Sequence, residues 1–325
     1  MLPRHFLGEV EMLRCVVCSA AALLSTASMA GNGRVIAIGD EWLLSDLAFS
    51  AQPDQSAQLA DNISRFFTDD VPSRLLVWST SGPVSGSTRG VRGEQLALRM
   101  ESHGHTWDTN PAMPFTLATL RNYRAVFLSG IAGAGAANAE VLESYVQQGG
   151  NVLVMAGTGD IGGPGDEAAQ WNYLLNRFGL AFGDTWFGLG PELLNVPTLP
   201  STNPLGKLIT HVQWGYGQTV FSTQPNNPLV EIAVYGDFTG MGAPNGPVQP
   251  IIGTVNISTK CFGDLDNSGF VDDADFVIFV QHYNLLLCED PAMPPECPSD
   301  FNADGLVDDV DFTIFIQGYD LPICL

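Results

Sequence analysis

The stretch YRAVFLSGIAGAGAANAEVLESYVQQGGNVLVMAGTG, Tyr123 to Gly159, decides the fold of the larger part of this chain. Two apolar runs, Ala125 to Leu128 and Asn151 to Ala156, have the length of buried strands rather than helices. Between them Ala137 to Gln148 carries helix-forming residues and is stopped by Gly149-Gly150. Strand, helix and strand in so short a span make a crossover unit, and a crossover joins parallel strands.

Working outward, the same alternation continues upstream. Arg34 to Gly39 reads as a strand, Ser56 to Phe67 as a helix, Leu75 to Trp78 as a strand and Glu94 to Ser102 as a helix. Downstream of about Gly183 the chain is punctuated by Pro and Gly, with strands expected at Gln218 to Ser222, Val230 to Tyr235 and Ile251 to Val255. The expected fold class of residues 31–258 is α/β, a mostly parallel sheet flanked by helices. YRAVFLSG, the following helix and YVQQGGNVLVMAGTG resemble the class I glutamine amidotransferase-like fold, with its flavodoxin-like layering, over about residues 74–182. That resemblance implies a nucleophilic cysteine in the turn after a central strand. The turn here is Gly157-Thr158-Gly159, and residues 31–260 contain no cysteine. An amidotransferase cannot work without its thiolate, so the body is expected to be a binding or structural descendant.

Other candidates in the body carry bland readings beside their chemical ones. Gly157 to Gly162 fits GxGxxG after a strand, but Pro164-Gly165 is expected to interrupt the helix start that a pyrophosphate needs. His103-Gly104-His105 is half a metal site without a third ligand, or a pair of loop histidines. Asp40-Glu41 and Asp237 stand at strand ends, where α/β folds bind ligands and where turns and helix caps also need acids. Ser129 lacks the Gly-x-Ser-x-Gly elbow of a hydrolase. Trp171, Trp186, Trp214 and Tyr216 suit sugar stacking less well than core packing.

The remainder of the chain has a different character. Of 325 residues with formal charge −22, residues 261–325 hold 14 acids and no Lys or Arg, so this tail attracts cations and repels nucleic acid. At the other end, Arg4 and Arg14 precede an apolar run from Cys15 to Leu24, and Ser28-Met29-Ala30 offers a cleavage site before Gly31. Residues 1–30 therefore read as a signal peptide, its run too short to span a bilayer, and the protein is expected to be exported to the periplasm, cell surface or medium.

Within the tail, CFGDLDNSGFVDDADFVIFVQHYNLLLC (Cys261 to Cys288) returns 36 residues later as CPSDFNADGLVDDVDFTIFIQGYDLPIC (Cys297 to Cys324), with 14 of 28 positions identical. Counting from Asp264, oxygen-bearing residues stand at positions 1, 3, 5, 9 and 12: Asp264, Asp266, Ser268, Asp272 and Asp275, with Gly269 at position 6. The second copy places Asp300, Asn302, Asp304, Asp308 and Asp311 with Gly305 in the same register, and Phe270 and Leu306 offer the position-7 carbonyls. This is the ligand spacing of EF-hand calcium loops, and two Ca²⁺ ions are expected. Ser268 removes a charge from the first loop, which is expected to bind more weakly.

Position 12 is Asp rather than Glu, no helix-forming segment precedes either loop, and an apolar run ending in Tyr follows each. Residues 259–325 thus resemble the type I dockerin family, with two loop-helix calcium motifs. The resemblance implies attachment to a cohesin-like module or surface scaffold, with recognition through positions 10 and 11, here Asp273-Ala274 and Asp309-Val310. A polysaccharide-degrading hydrolase carried by the tail, and a sorting tail without a cohesin, are the alternatives. The antiparallel helices implied by the resemblance would pair Cys261 with Cys324 and Cys288 with Cys297; one disulfide per repeat remains the other pairing. Zinc is not expected, since no C-x2-C spacing occurs among these four cysteines.

Overall fold

The structure is a computed structural model. It describes residues 33–79, 90–109, 112–188, 192–241, 243, 246–257, 263–266, 271–295, 297–301 and 304–319. The signal peptide expected over residues 1–30 lies outside these, as do Cys261, Ser268, Gly269, Phe270, Asn302 and Cys324.

The body alternates strand and helix as β1 (Arg34–Ile38), α1 (Asp46–Ala51), α2 (Pro53–Thr68), β2 (Arg74–Ser79), α3 (Glu94–Ser102), β3 (Thr106–Thr109), α4 (Leu117–Leu120), β4 (Ala125–Ser129), α5 (Ala136–Gln147), β5 (Asn151–Met155) and α6 (Pro164–Leu175). Six further strands follow: β6 (Leu180–Phe182), β7 (Leu194–Pro197), β8 (His211–Trp214), β9 (Val220–Ser222), β10 (Val230–Asp237) and β11 (Val248–Asn256). One seven-stranded sheet has the order β10-β11-β1-β5-β4-β2-β3. Its five strands from β1 to β3 are parallel; β11 joins β1 antiparallel and β10 joins β11 antiparallel. The remaining four strands form two-stranded ribbons, β6-β9 and β7-β8. The fold class is thus α/β with a mostly parallel sheet flanked by helices.

Period-two alternation along the central strands divides the core into two layers. Ile36, Ile38, Leu153, Met155 and Phe127 pack with α2 and α3 through Leu59, Ile63, Phe67, Leu96 and Met100. Val35, Ala37, Val152, Val154 and Leu128 face the other way, onto Leu142, Tyr145, Trp171 and Leu174 of α5 and α6. Strands covered on both faces read as continuous apolar runs, which is why they were legible without alternation.

The helix at Glu94–Ser102 has the bounds its sequence predicts, and α5 differs by one residue. The helix expected from Ser56 starts three residues earlier, at Pro53, and α6 opens on a proline in the same way. Pro53 and Pro164 both sit in the first turn of a helix, where a missing N–H costs nothing and a fixed φ helps. The reading of Pro164 as an interruption is therefore corrected: it opens α6.

The tail contains α7 (Asp273–Leu285) and α8 (Asp309–Tyr319), each directly after its acidic loop. Its core is small and aromatic: Phe279 and Phe315 stack with centroids 5.0 Å apart, enclosed by Val271, Met293 and Val307. Phe276 and Phe312, the counterparts of each other one repeat apart, lie 6.3 Å apart beside them.

The buried amide of Asn151 donates to Phe67 O and Arg124 O, tying the start of β5 to the end of α2 and the approach to β4. Both carbonyls keep a second donor, Arg124 Nε and the Asn151 N–H respectively. Asn151→Ala is therefore expected to cost only about 1 to 2 kcal/mol, read as a lower urea midpoint with an unchanged slope.

Candidate functional site

In the first tail loop the carboxylate oxygens of Asp264, Asp266 and Asp275 lie within 4.8 Å of one another. Asp275, at position 12, has no exposed surface. Its Oδ1 accepts from the N–H groups of Leu265 (2.6 Å) and Asp266 (3.0 Å), and its Oδ2 from Asp272 N (2.9 Å). Asp272 in turn caps α7, accepting from Ala274 N at 2.8 Å. The second loop repeats this wiring. Asp311 is equally buried and accepts from Phe301 N (2.7 Å) and Asp308 N (2.9 Å), while Asp308 accepts from Val310 N (2.8 Å).

Position 1 of the second loop, Asp300, accepts from Asp304 N at 3.1 Å and from Gly305 N at 2.9 Å. Gly305 has φ +90°, and no atom lies within 4 Å of where its Cβ would be. The backbone turn alone therefore demands glycine at position 6.

The donor set suits a hard divalent cation. It is all oxygen, and the carboxylates are crowded enough to repel one another unless a positive charge sits among them. Of the predicted ligands, Asp264, Asp266 and Asp275 are brought together in one loop, and Asp300, Asp304, Leu306, Asp308 and Asp311 are linked by backbone bonds in the other. Sulfur takes no part as a ligand. Cys288 and Cys297, near Asp300, are joined in a disulfide with Cα atoms 5.3 Å apart, so neither offers a thiolate.

The residues assigned to partner recognition lie at the helix starts. Ala274 and Val310 are exposed. Asp273 and Asp309 have a second connection, which the sequence reading missed: Tyr283 OH donates to Asp309 Oδ1 at 2.6 Å, and Tyr319 OH donates to Asp273 Oδ1. Each helix thus ends on the start of the other, an antiparallel pairing with approximate twofold symmetry. The 36-residue spacing of Tyr283 and Tyr319 was its signal.

In the body, the carboxyl ends of β1 and β5 are neighbours whose chains leave toward opposite faces, the position where open α/β sheets bind ligands. Here the chain itself occupies the crevice. Gln218 N donates to Gly39 O at 2.8 Å, Gly215 N donates to Asp40 Oδ2, and a Cβ on Gly157 would lie 2.8 Å from Tyr216 O. Gly39 is needed because its Cβ would meet Gln218 O at 2.0 Å.

The glycine turn is spent in the same way: Glu167, fully buried, accepts from Gly157 N (2.9 Å), Thr158 N (3.1 Å) and Thr158 Oγ1 (2.6 Å). Those N–H groups point at a carboxylate of this chain rather than at a phosphate. Burial raises the Glu167 carboxyl, opposed by these same bonds.

Other single residues fall into structural roles. His103 Nε2 lies 2.9 Å from Asp61 and His105 Nε2 lies 2.8 Å from Ser64 Oγ, so the two rings serve separate bonds. Asp237 accepts from Thr239 N and Oγ1 in a turn. Ser129 Oγ and Ser79 Oγ are 2.5 Å apart at the ends of β4 and β2. Trp171 and Trp214 are core residues, Trp214 packing on Phe187 and Phe238, while Tyr216 is exposed.

No family model matches this chain, and no curated protein does. Among solved structures, a peptidase E-like protein from Listeria monocytogenes EGD-e aligns with TM-score 0.27 and 10% identity over 43% of this chain and 66% of its own, just under two thirds of its length. A ThuA-like protein from Bacteroides uniformis ATCC 8492 aligns with TM-score 0.33 and 14% identity over 57% and 75%. Likenesses of this size bear on neither activity nor ligand.

Asp40 accepts from Trp42 N at 2.9 Å as well as from Gly215 N, and burial pushes its carboxyl up to about 7 against these bonds. The folded body then binds this proton more tightly than the unfolded chain does. Its contribution to stability is complete below the unfolded value near 3.8 and is lost as pH rises to about 7. The ceiling is about 4 kcal/mol. Urea midpoints are expected to fall between pH 4 and 7, and Asp40→Asn is expected to flatten that slope.

Proposed function

We propose that this chain is an exported attachment protein: a calcium-dependent, dockerin-like tail anchors a non-catalytic α/β body to a cohesin-like partner on a scaffold or cell surface. The observation that carries this reading is the outer face of the tail helix pair. Val277 and Val280 on α7, and Val310 and Ile316 on α8, are exposed beside the recognition positions, with Val277 at 56% and Val310 at 51%. Exposed apolar side chains carried by two nearly symmetric helices suit a docking surface better than a solvated one.

Each loop would hold one Ca²⁺ through the oxygen ligands at positions 1, 3, 5, 7, 9 and 12. Bound calcium supplies the positive charge that cancels carboxylate repulsion. The residues of the chain do the shaping: Asp275 and Asp311 gather the loop N–H groups, Asp272 and Asp308 cap the helices, and Tyr283 and Tyr319 fix one helix against the other. The Cys288–Cys297 disulfide supports an oxidising compartment, in keeping with the leader-like residues 1–30. Among the described residues no helix is long and apolar enough to cross a membrane. For the body, a sheet crevice filled by residues 215–218 supports a role without catalysis.

Two outcomes follow. Native mass spectrometry should retain two calcium ions per chain, and chelation should lower tail helicity in circular dichroism, because folding and metal binding are coupled. In surface plasmon resonance against cohesin modules, binding should require calcium. The pair Val277→Asp and Ile316→Asp should weaken it more than tenfold while both ions are kept. A chain that keeps both ions and binds no cohesin module would leave the sorting-tail reading.

A further inference from the structure

The second loop is held from outside by a segment of the first repeat. Directly after α7 the chain runs antiparallel to positions 6 to 8 of that loop: Val307 N donates to Leu286 O at 2.7 Å, Cys288 N donates to Gly305 O at 3.0 Å, and Leu287 pairs with Leu306. The disulfide adds a second attachment. It links Cys288, in this segment, to Cys297, three residues before Asp300 at position 1. Cys288 Sγ lies 3.4 Å from Asp300 Oδ2, and the bridged sulfur, having no proton, packs against that oxygen rather than donating to it. Asp300 Oδ2 is fixed on its other side by Gly305 N at 2.9 Å.

One short strand therefore grips both ends of the arc that carries a position-1 carboxylate and a position-7 carbonyl. These are two ligands that a cation must find at a set separation. Without the bridge, Asp300 keeps its bonds from Asp304 N and Gly305 N and Ser299 its contact with His282 of α7, but the covalent link that fixes Cys297, and so the approach to Asp300, to this segment is lost.

We propose that the Cys288–Cys297 disulfide is a positioning device for the second cation loop, presetting Asp300 against the Leu306 carbonyl so that this loop fills first. The inference rests on the calcium reading above. It adds a second cause to the order that Ser268 already sets: the braced loop takes its ion at low calcium, and the first loop follows. The bridge closes a short loop, and in the chain-entropy model such a constraint changes an equilibrium by at most roughly a hundredfold.

The test is calcium titration of the full chain by calorimetry and native mass spectrometry, wild type against Cys288→Ser with Cys297→Ser. Asp264→Ala and Asp300→Ala backgrounds assign each ion to its loop. The expected result is a tenfold or greater rise in the dissociation constant of the second loop, with the first unchanged. Equal affinities in wild type and variant overturn the inference, as does equal weakening of both loops, which a merely structural bridge would give. A wild-type chain that holds no ion overturns the calcium reading instead, so the two failures are distinct.

Should the serine pair not fold, the comparison is made within one molecule. Cys261→Ser with Cys324→Ser leaves 288–297 as the tail's bridge, titrated with terbium before and after reduction by a dithiol. Loss of affinity at the second loop on reduction supports the brace, and no change overturns it.

Discussion

Two aspartates without exposed surface, Asp275 and Asp311, are the constraint on which the tail depends. A carboxylate removed from water needs partners, and each finds them in the N–H groups of its own loop, at positions 2 and 9 in both copies and at position 3 in the first. That requirement curls the loop, turns the other carboxylates inward and sets the first turn of the helix that follows. The shorter side chain at position 12 is thus no weakened EF-hand glutamate; it is the length at which the carboxylate reaches the backbone of its own loop. Helix placement then follows, because the aromatic contacts and the two tyrosine bonds all start from residues that these loops orient.

The body solves the same problem by opposite means. Asp40 and Glu167 are buried at the carboxyl edge of the sheet and are also satisfied by backbone N–H groups, yet the segments they hold are those that close the edge. In the tail, buried acids open a concave set of oxygens. In the body, they draw residues 157–158 and 215 onto the strand ends, at the position where a ligand would otherwise sit.

What the sequence disclosed follows from which interactions are local. Central strands such as Asn151–Met155 and helices such as Glu94–Ser102 are specified by their own residues, and the spacing of the loop acids is a count along the chain. Pro164 misled because a proline that breaks a helix interior also opens a helix, and only position distinguishes the two. The covering of the β1/β5 crevice was illegible: it depends on Gln218 meeting Gly39, residues about 180 positions apart. Tyr283 and Tyr319 were visible as a repeat, but their partners belong to the opposite repeat, and no pattern within one copy points there.

The bridge across residues 288 and 297 has a further meaning for the intact chain. Of the connection between the two helices, the exposed residues Glu289, Pro291, Ala292 and Pro295 lie inside the closed ring. A cut there yields two polypeptides that stay covalently joined, with the body still tethered to the terminal helix.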